Sequence, residues 1–165
     1  MVCLSTFSSP LGVLRLAADG QGLRGLWFPG QSYAPRFSEA VDRENEDITV
    51  TKQWLEVYFS GKRPDFLPRL CPIGSEFQRQ VWDLLLQIPY GESTTYGALV
   101  KKLSQARGLE RMSAQAVGGA VGHNPISILI PCHRVLGVEG RLTGYAGGRD
   151  KKAALLTLEG IPFLP

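Results

Sequence analysis

The stretch that decides the fold runs from Phe77 to Leu103, FQRQVWDLLLQIPYGESTTYGALVKKL. Phe77, Val81, Leu84, Leu85 and Ile88 recur at helical spacing, and Pro89-Tyr90-Gly91 ends that helix. Ser93, Thr94 and Thr95 then offer caps for a second helix running through Leu99 to about Leu103. A polar loop, SQARGLERM, follows, and Ser113 caps a third helix, AQAVGGAVG. Two short helices joined by a turn give a helix-turn-helix outline in the C-terminal half. Further on, ISILI (Ile126 to Ile130) reads as a short buried strand ending at Pro131, with Cys132 where the chain must turn.

Upstream the pattern changes. VCLSTF, LGVLRLAA and LRGLWF are short apolar or alternating runs separated by Ser-Ser-Pro-Leu-Gly and Asp-Gly-Gln-Gly, so the first thirty residues read as β-structure. Asp42 to Asp47 is a polar patch, a solvated loop or a helix start, and Thr51 to Ser60 places Trp54, Leu55, Tyr58 and Phe59 on one helical face. GKRPDFLPRLCPIGS, with three prolines, reads as a linker. Two domains are expected, residues 1–74 and 75–165 of the 165.

Composition narrows the classes. With 44% hydrophobic and 20% charged residues the chain is globular, neither a disordered tail nor a fibre. No apolar run approaches the length that spans a bilayer, so no membrane partner is expected. No basic stretch precedes an apolar core at the N-terminus, and Cys3, Cys71 and Cys132 cannot all pair, so a reducing cytoplasm is the expected location. The net charge is +3, and residues 75–165, with ten basic and seven acidic side chains, hold all of it. A polyanion would therefore meet that half.

Cys132-His133 is the chemical centre. A cysteine acts as a nucleophile only as thiolate, which needs a base or a positive charge nearby. Adjacent side chains do not automatically face one another, so a bridging water is one way to connect them. A carboxylate on the other ring nitrogen would fix the tautomer. Taken alone, the dipeptide reads in most cases as a buried thiol beside a structural histidine. Only two histidines and no C-x-x-C spacing argue against zinc, and neither metal nor cofactor is expected. Gly118-Gly119 inside a helix costs about 0.8–1 kcal/mol per glycine relative to alanine, which implies close approach by another helix or by a nucleic-acid backbone.

Asn124-Pro125, ISILIPCHRV, LTGYAGG (Leu142 to Gly148) and LLTLEG (Leu155 to Gly160), with FQRQVWDLLLQIPYGESTTYG and AVGGAVGHNP upstream, resemble the O6-alkylguanine-DNA alkyltransferases. The likeness covers most of residues 76 to 160 in order, and the first half resembles the family only in outline. It implies an α/β (α+β) protein: a small N-terminal β-sheet/α domain of RNase H-like type and a C-terminal helical winged helix-turn-helix domain. It also implies DNA repair by direct reversal. The alkyl group on O6 of guanine, or less well O4 of thymine, would pass irreversibly to Cys132, once per molecule. His133 would be the water-linked base, Glu159 the acid orienting it, and Tyr96 the donor of a proton to the departing guanine. Tyr145 would wall the base pocket, the backbone around Val135 and Ala146 would read the guanine edge, and Asn124 would brace the turn before Cys132. Thr95, Gln115, Ala116, Gly118 and Gly119 would meet double-stranded DNA, with the nucleotide flipped out to reach the site. A monomer is expected.

One position departs from the resemblance. The family usually has an arginine that fills the gap left by the flipped base, and this chain has Gln115 there. Glutamine can hydrogen-bond the orphaned base but offers no cationic plane, so weaker binding or flipping is expected. Arg111, one turn earlier, substitutes only if the loop rearranges. Two further readings stand beside the transferase: an alkyltransferase-like protein that binds damage without transfer, and a cysteine hydrolase using Cys132, His133 and Glu159. The presence of Cys132 weighs against the first, which typically has another residue there. Turnover beyond one event per molecule would separate the second.

Overall fold

The structure, a computed structural model, describes residues 1–165. It forms two compact units, Met1–Ile73 with Pro125–Leu129, and Gly74–Asn124 with Ile130–Pro165. The expected division at residue 74 treats the second half as continuous. In the structure five of its residues group with the first unit, since Pro125 O accepts from Leu26 N–H (2.9 Å) and Ser127 N–H donates to Leu26 O (2.8 Å).

In the first unit, β1 (Val2–Ser9), β2 (Gly12–Asp19) and β3 (Gly22–Trp27) form an antiparallel meander, and β4 (Ala40–Asp42) adds in parallel beside β1. Helix α1 (Glu46–Phe59) packs on the meander with Ile48, Trp54, Leu55 and Tyr58 buried. It begins earlier than its apolar face alone predicts. Asn45 accepts from Ile48 N–H as the cap, and Glu46 and Asp47 occupy the first turn, where the helix dipole favours negative charge. Asp47 is not solvated: it is buried and accepts from Arg69 at 3.0 and 2.9 Å. The proline-rich segment is pinned rather than loose, because Leu23 N–H donates to Arg69 O and Cys71 N–H to Leu23 O, both at 2.8 Å.

In the second unit, α2 (Glu76–Leu86) opens with a capping box of Ser75 and Gln78, and α3 (Tyr96–Ala106) and α4 (Ala114–Gly122) are capped by Thr95 and Ser113. Two short parallel strands, β5 (Thr94–Thr95) and β6 (Val135–Leu136), form the wing, and α5 (Arg149–Leu158) follows. The buried Trp82 ties α2 to α4 by donating from Nε1 to Ala120 O (2.8 Å). Helix α3 continues one turn past Leu103, so the helix-turn-helix connection is shorter than the polar composition of SQARGLERM implies.

The buried strand expected at Ile126–Ile130 is absent. Those residues are buried but form turns, with a single bridge from Ile126 to Leu26. Ile128 has φ +71°, outside the region a β-branched residue prefers, and Leu129 N–H and Cys132 N–H turn back to Ser127 O and Ile130 O at 2.8 Å. An unbroken apolar run records burial without fixing backbone geometry.

Candidate active site

Cys132, His133 and Arg134 form one turn of 3-10 helix just before β6, all of it buried. The Cys132 thiol accepts from Asn124 Nδ2 at 3.3 Å, and the same amide donates to Ile130 O at 2.8 Å. Asn124, at the end of α4, thus spans the turns that deliver the cysteine and holds the sulfur itself. The Tyr145 hydroxyl is a further hydrogen-bonding neighbour of the thiol. Burial pushes the Cys132 pKa up, and the Asn124 hydrogen bond, the Lys152 charge and Tyr145 only partly oppose it. At rest this is a protonated thiol.

His133 is paired with a carboxylate. Its Nε2 lies 2.5 Å from Glu159 Oε2, with both side chains fully buried. Burial lowers the His133 pKa against the opposing pull of Glu159, so the ring is neutral at rest. Burial alone would raise the Glu159 pKa, but His133 and Arg134 outweigh it and hold the carboxyl at about 2. An ionised carboxylate only accepts, so Nε2 carries the ring proton. Nδ1, buried and without a hydrogen bond to any protein group, is the nitrogen that can take another. The second oxygen of Glu159 accepts from Arg134 Nε (2.8 Å) and Gly91 N–H (3.1 Å), while Arg134 Nη1 donates to Ile88 O at 2.7 Å. Acid should expose this arrangement. A carboxylate depressed from 4.5 to about 2 contributes stability that is complete above the unfolded value and lost as pH falls through the folded one. Urea midpoints measured down that window should decline, and Glu159→Gln should flatten the decline.

Sequence reasoning assigned no role to Arg134, Lys152 or Thr143. Lys152 is fully buried and donates to Val135 O (2.6 Å), Thr143 Oγ1 (2.9 Å) and Gly144 O (3.4 Å), with its Nζ 5.9 Å from the Tyr96 ring centre. A signal was available. Lys152, Leu155, Leu156 and Glu159 share helical spacing on α5, which puts the lysine on the buried face. Val135 O already accepts from Lys152, which leaves its second lone pair for any further donor. Tyr96 and Tyr145 are half-buried, and so is Ala146 in the loop before α5. Burial raises the Tyr96 pKa, while a hydrogen bond from the Thr143 hydroxyl opposes the rise.

The remaining residues stand apart from the thiol, along α4 and at the start of α3. Gln115, Ala116 and Gly119 are exposed and Gly118 half-exposed. A Cβ at Gly118 or Gly119 would meet nothing within 4 Å, so helix packing inside the chain does not account for either glycine. Thr95 is committed to its cap, accepting from Ala98 N–H at 3.1 Å. No group of three or more His, Cys, Asp or Glu could hold a metal ion, and no helix is long and apolar enough to cross a membrane.

A cysteine held at the base of a winged helix-turn-helix, with a histidine–carboxylate pair beside it, defines a nucleophilic site on a nucleic-acid-binding scaffold. Residues 76–161 match the family described as 6-O-methylguanine DNA methyltransferase, DNA binding domain, and residues 2–70 match its ribonuclease-like domain. The chain belongs to the 6-O-methylguanine DNA methyltransferase family. It is 41% identical to a methylated-DNA–protein-cysteine methyltransferase of Methanosarcina acetivorans over 93% of this chain and 96% of that protein. For one from Haemophilus influenzae the identity is 39%, over 96% and 86%. Among solved structures, Mycobacterium tuberculosis OGT in complex with DNA superposes with a TM-score of 0.83 at 39% identity, covering 95% of this chain and 92% of that one.

Proposed function

We propose that this protein repairs double-stranded DNA by moving the alkyl group of O6-alkylguanine, and less well of O4-alkylthymine, onto Cys132, irreversibly and once per molecule. The observation that carries this reading is the buried Cys132 thiol beside the His133–Glu159 pair, on a helix-turn-helix with an open glycine face. The His133 Nδ1 takes the thiol proton through one water, and Glu159 stabilises the imidazolium. The sulfur attacks the alkyl carbon, the bond from that carbon to O6 breaks, and Tyr96 gives its proton to the departing base so that guanine leaves neutral. Tyr145 walls the base, and the backbone at Val135 and Ala146 reads its edge. Ala116, Gly118 and Gly119 let a DNA backbone approach α4 closely while the target nucleotide is flipped into the site. All these groups come from one chain, so we infer a monomer, and we place it in the cytoplasm, where the three free cysteines stay reduced.

The test is intact mass and peptide mapping after mixing equimolar protein with a duplex carrying one O6-methylguanine. One methyl group on the Cys132 peptide, saturating at one per protein, is expected. Tight binding without mass gain would point instead to a damage-binding protein that does not transfer. Turnover on small esters would point to a hydrolase.

Gln115 sits in the first turn of α4, exposed, where it can enter the stack behind a flipped base. Gln115→Arg should therefore speed transfer from duplex DNA about tenfold, because a guanidinium stacks as well as hydrogen-bonds. Transfer from the free modified base should be unchanged. Equal gains on both substrates would show that Gln115 does not act through flipping.

A further inference from the structure

Glu159 serves two cationic partners, and they pull against each other. One oxygen meets His133 Nε2, while the other accepts from Arg134 Nε (2.8 Å) and Gly91 N–H (3.1 Å). A bare carboxylate beside an imidazole favours the imidazolium, and a base already protonated cannot take the thiol proton. The Arg134 guanidinium counters this, because it occupies the carboxylate and its charge opposes a second proton on His133. What holds Arg134 in place therefore bears on the base. One short segment does so: Ile88 to Gly91, between α2 and β5, meets the Arg134–Glu159 pair at three points. Ile88 O accepts from Arg134 Nη1 (2.7 Å), the guanidinium carbon lies over the Tyr90 ring at 5.8 Å from its centre, and Gly91 turns its N–H onto Glu159 at φ +81°. A ring face within about 6 Å attracts a cation, more strongly where water is excluded. The Arg134 side chain is only 9% exposed.

We propose that Tyr90 is a positioning residue for alkyl transfer: its ring covers the Arg134 guanidinium, keeps that cation on Glu159, and so governs the base that deprotonates Cys132. This rests on the transfer reading above and deepens it by naming what tunes the base. Without the ring, water reaches the guanidinium, screens its charge and loosens its grip on the carboxylate. Glu159 then pulls harder on the imidazole, and His133 keeps a second proton to higher pH.

The groups around the imidazole agree with this direction. Burial lowers the His133 pKa from its usual 6.5, Glu159 opposes the fall, and the Arg134 and Lys152 charges add to it. The titratable and charged groups facing the His133–Glu159 pair are thus Arg134 from the 3-10 turn, Lys152 from α5, and Tyr90 from the segment after α2. Of these, Tyr90 is the one whose ring is stacked on the guanidinium.

Tyr90→Leu and Tyr90→Met remove the ring, and Tyr90→Phe keeps it. Single-turnover methyl transfer from an O6-methylguanine duplex would be followed by mass from pH about 4.5 to about 8.5 in all three and in wild type. In parallel, His133 would be titrated by NMR in the protein alone; the chain has two histidines, and His123 is exposed where His133 is buried. Wild type and Tyr90→Phe should share an acid limb below pH 6.5. Tyr90→Leu and Tyr90→Met should move that limb, and the His133 titration with it, up by about one pH unit. Transfer at pH about 6 should then be about three- to tenfold slower, and recover toward the wild-type rate above pH about 8. A purely structural role would slow transfer equally at every pH. The proposal is overturned by that uniform loss, by a wild-type limb in folded Tyr90→Leu and Tyr90→Met, or by Tyr90→Phe shifting as far as they do. Failure of both ring-less variants to fold would make Tyr90 an element of the fold and overturn it as well. A wild-type protein that gains no methyl group overturns the transfer reading, and the histidine titration then still decides whether Tyr90 governs His133.

Discussion

Replacing Cys132 by serine should abolish alkyl transfer while leaving duplex binding within about twofold of wild type. The loss should exceed about 10⁴-fold, the upper range for removing one member of a nucleophile–base pair. A serine hydroxyl is a far weaker acid than a thiol, and the oxygen is a poor partner for an alkyl carbon. The neutral His133 has too little basicity to compensate, because burial holds its pKa down. The substitution is small in volume, and serine can still accept from Asn124 Nδ2. Cys132 is only 6% exposed, whereas the face we propose for DNA lies on α4, so binding should survive. Intact mass measures transfer and fluorescence anisotropy on a labelled duplex measures binding. Loss of both together would sink the role assigned to Cys132.

Glu159→Gln should be damaging in two separable ways. It leaves the Arg134 guanidinium, with a side chain 9% exposed, without a counter-charge, and breaking a buried pair by removing one partner costs about 3–5 kcal/mol. It also offers His133 an amide that can donate as well as accept, so the ring is no longer forced to carry its proton on Nε2. Loss of that tautomer control should slow transfer by about 10³–10⁴-fold. The double variant Glu159→Gln with Arg134→Met separates the effects. Removing the orphaned cation should return much of the stability in urea unfolding and none of the rate. If the double variant regained the rate as well, the carboxylate would be acting only as a strut.

The sequence discloses the elements with local causes. Ser75, Thr95 and Ser113 cap three helices because a short polar side chain reaches the nearest free N–H, and that is decided within four residues. Ile126 to Ile130 misleads because five apolar side chains specify a buried place with no period, and the backbone there answers to Leu26, a hundred residues earlier. Resemblance brought Cys132, His133, Glu159 and Asn124 forward, and the structure draws them into one site. It could not announce that Arg134 turns back to Ile88 and Glu159, or that Lys152 serves Val135 and Thr143. Such partnerships form only when distant segments meet. The early start of α1 was hidden for the opposite reason. Its first turn is polar, so an apolar periodicity cannot detect it.

The thiol's burial has a consequence for the unreacted protein's lifetime. A molecule that works once waits most of its existence among peroxides and stray electrophiles, which attack thiolates far faster than thiols. With Cys132 buried and kept protonated, only a partner that enters the pocket and triggers proton removal finds a nucleophile. Cys71, only partly buried, is the sulfur that solvent-borne oxidants meet first. Low reactivity while waiting is thus a form of selectivity, since it reserves the one available shot for damaged DNA.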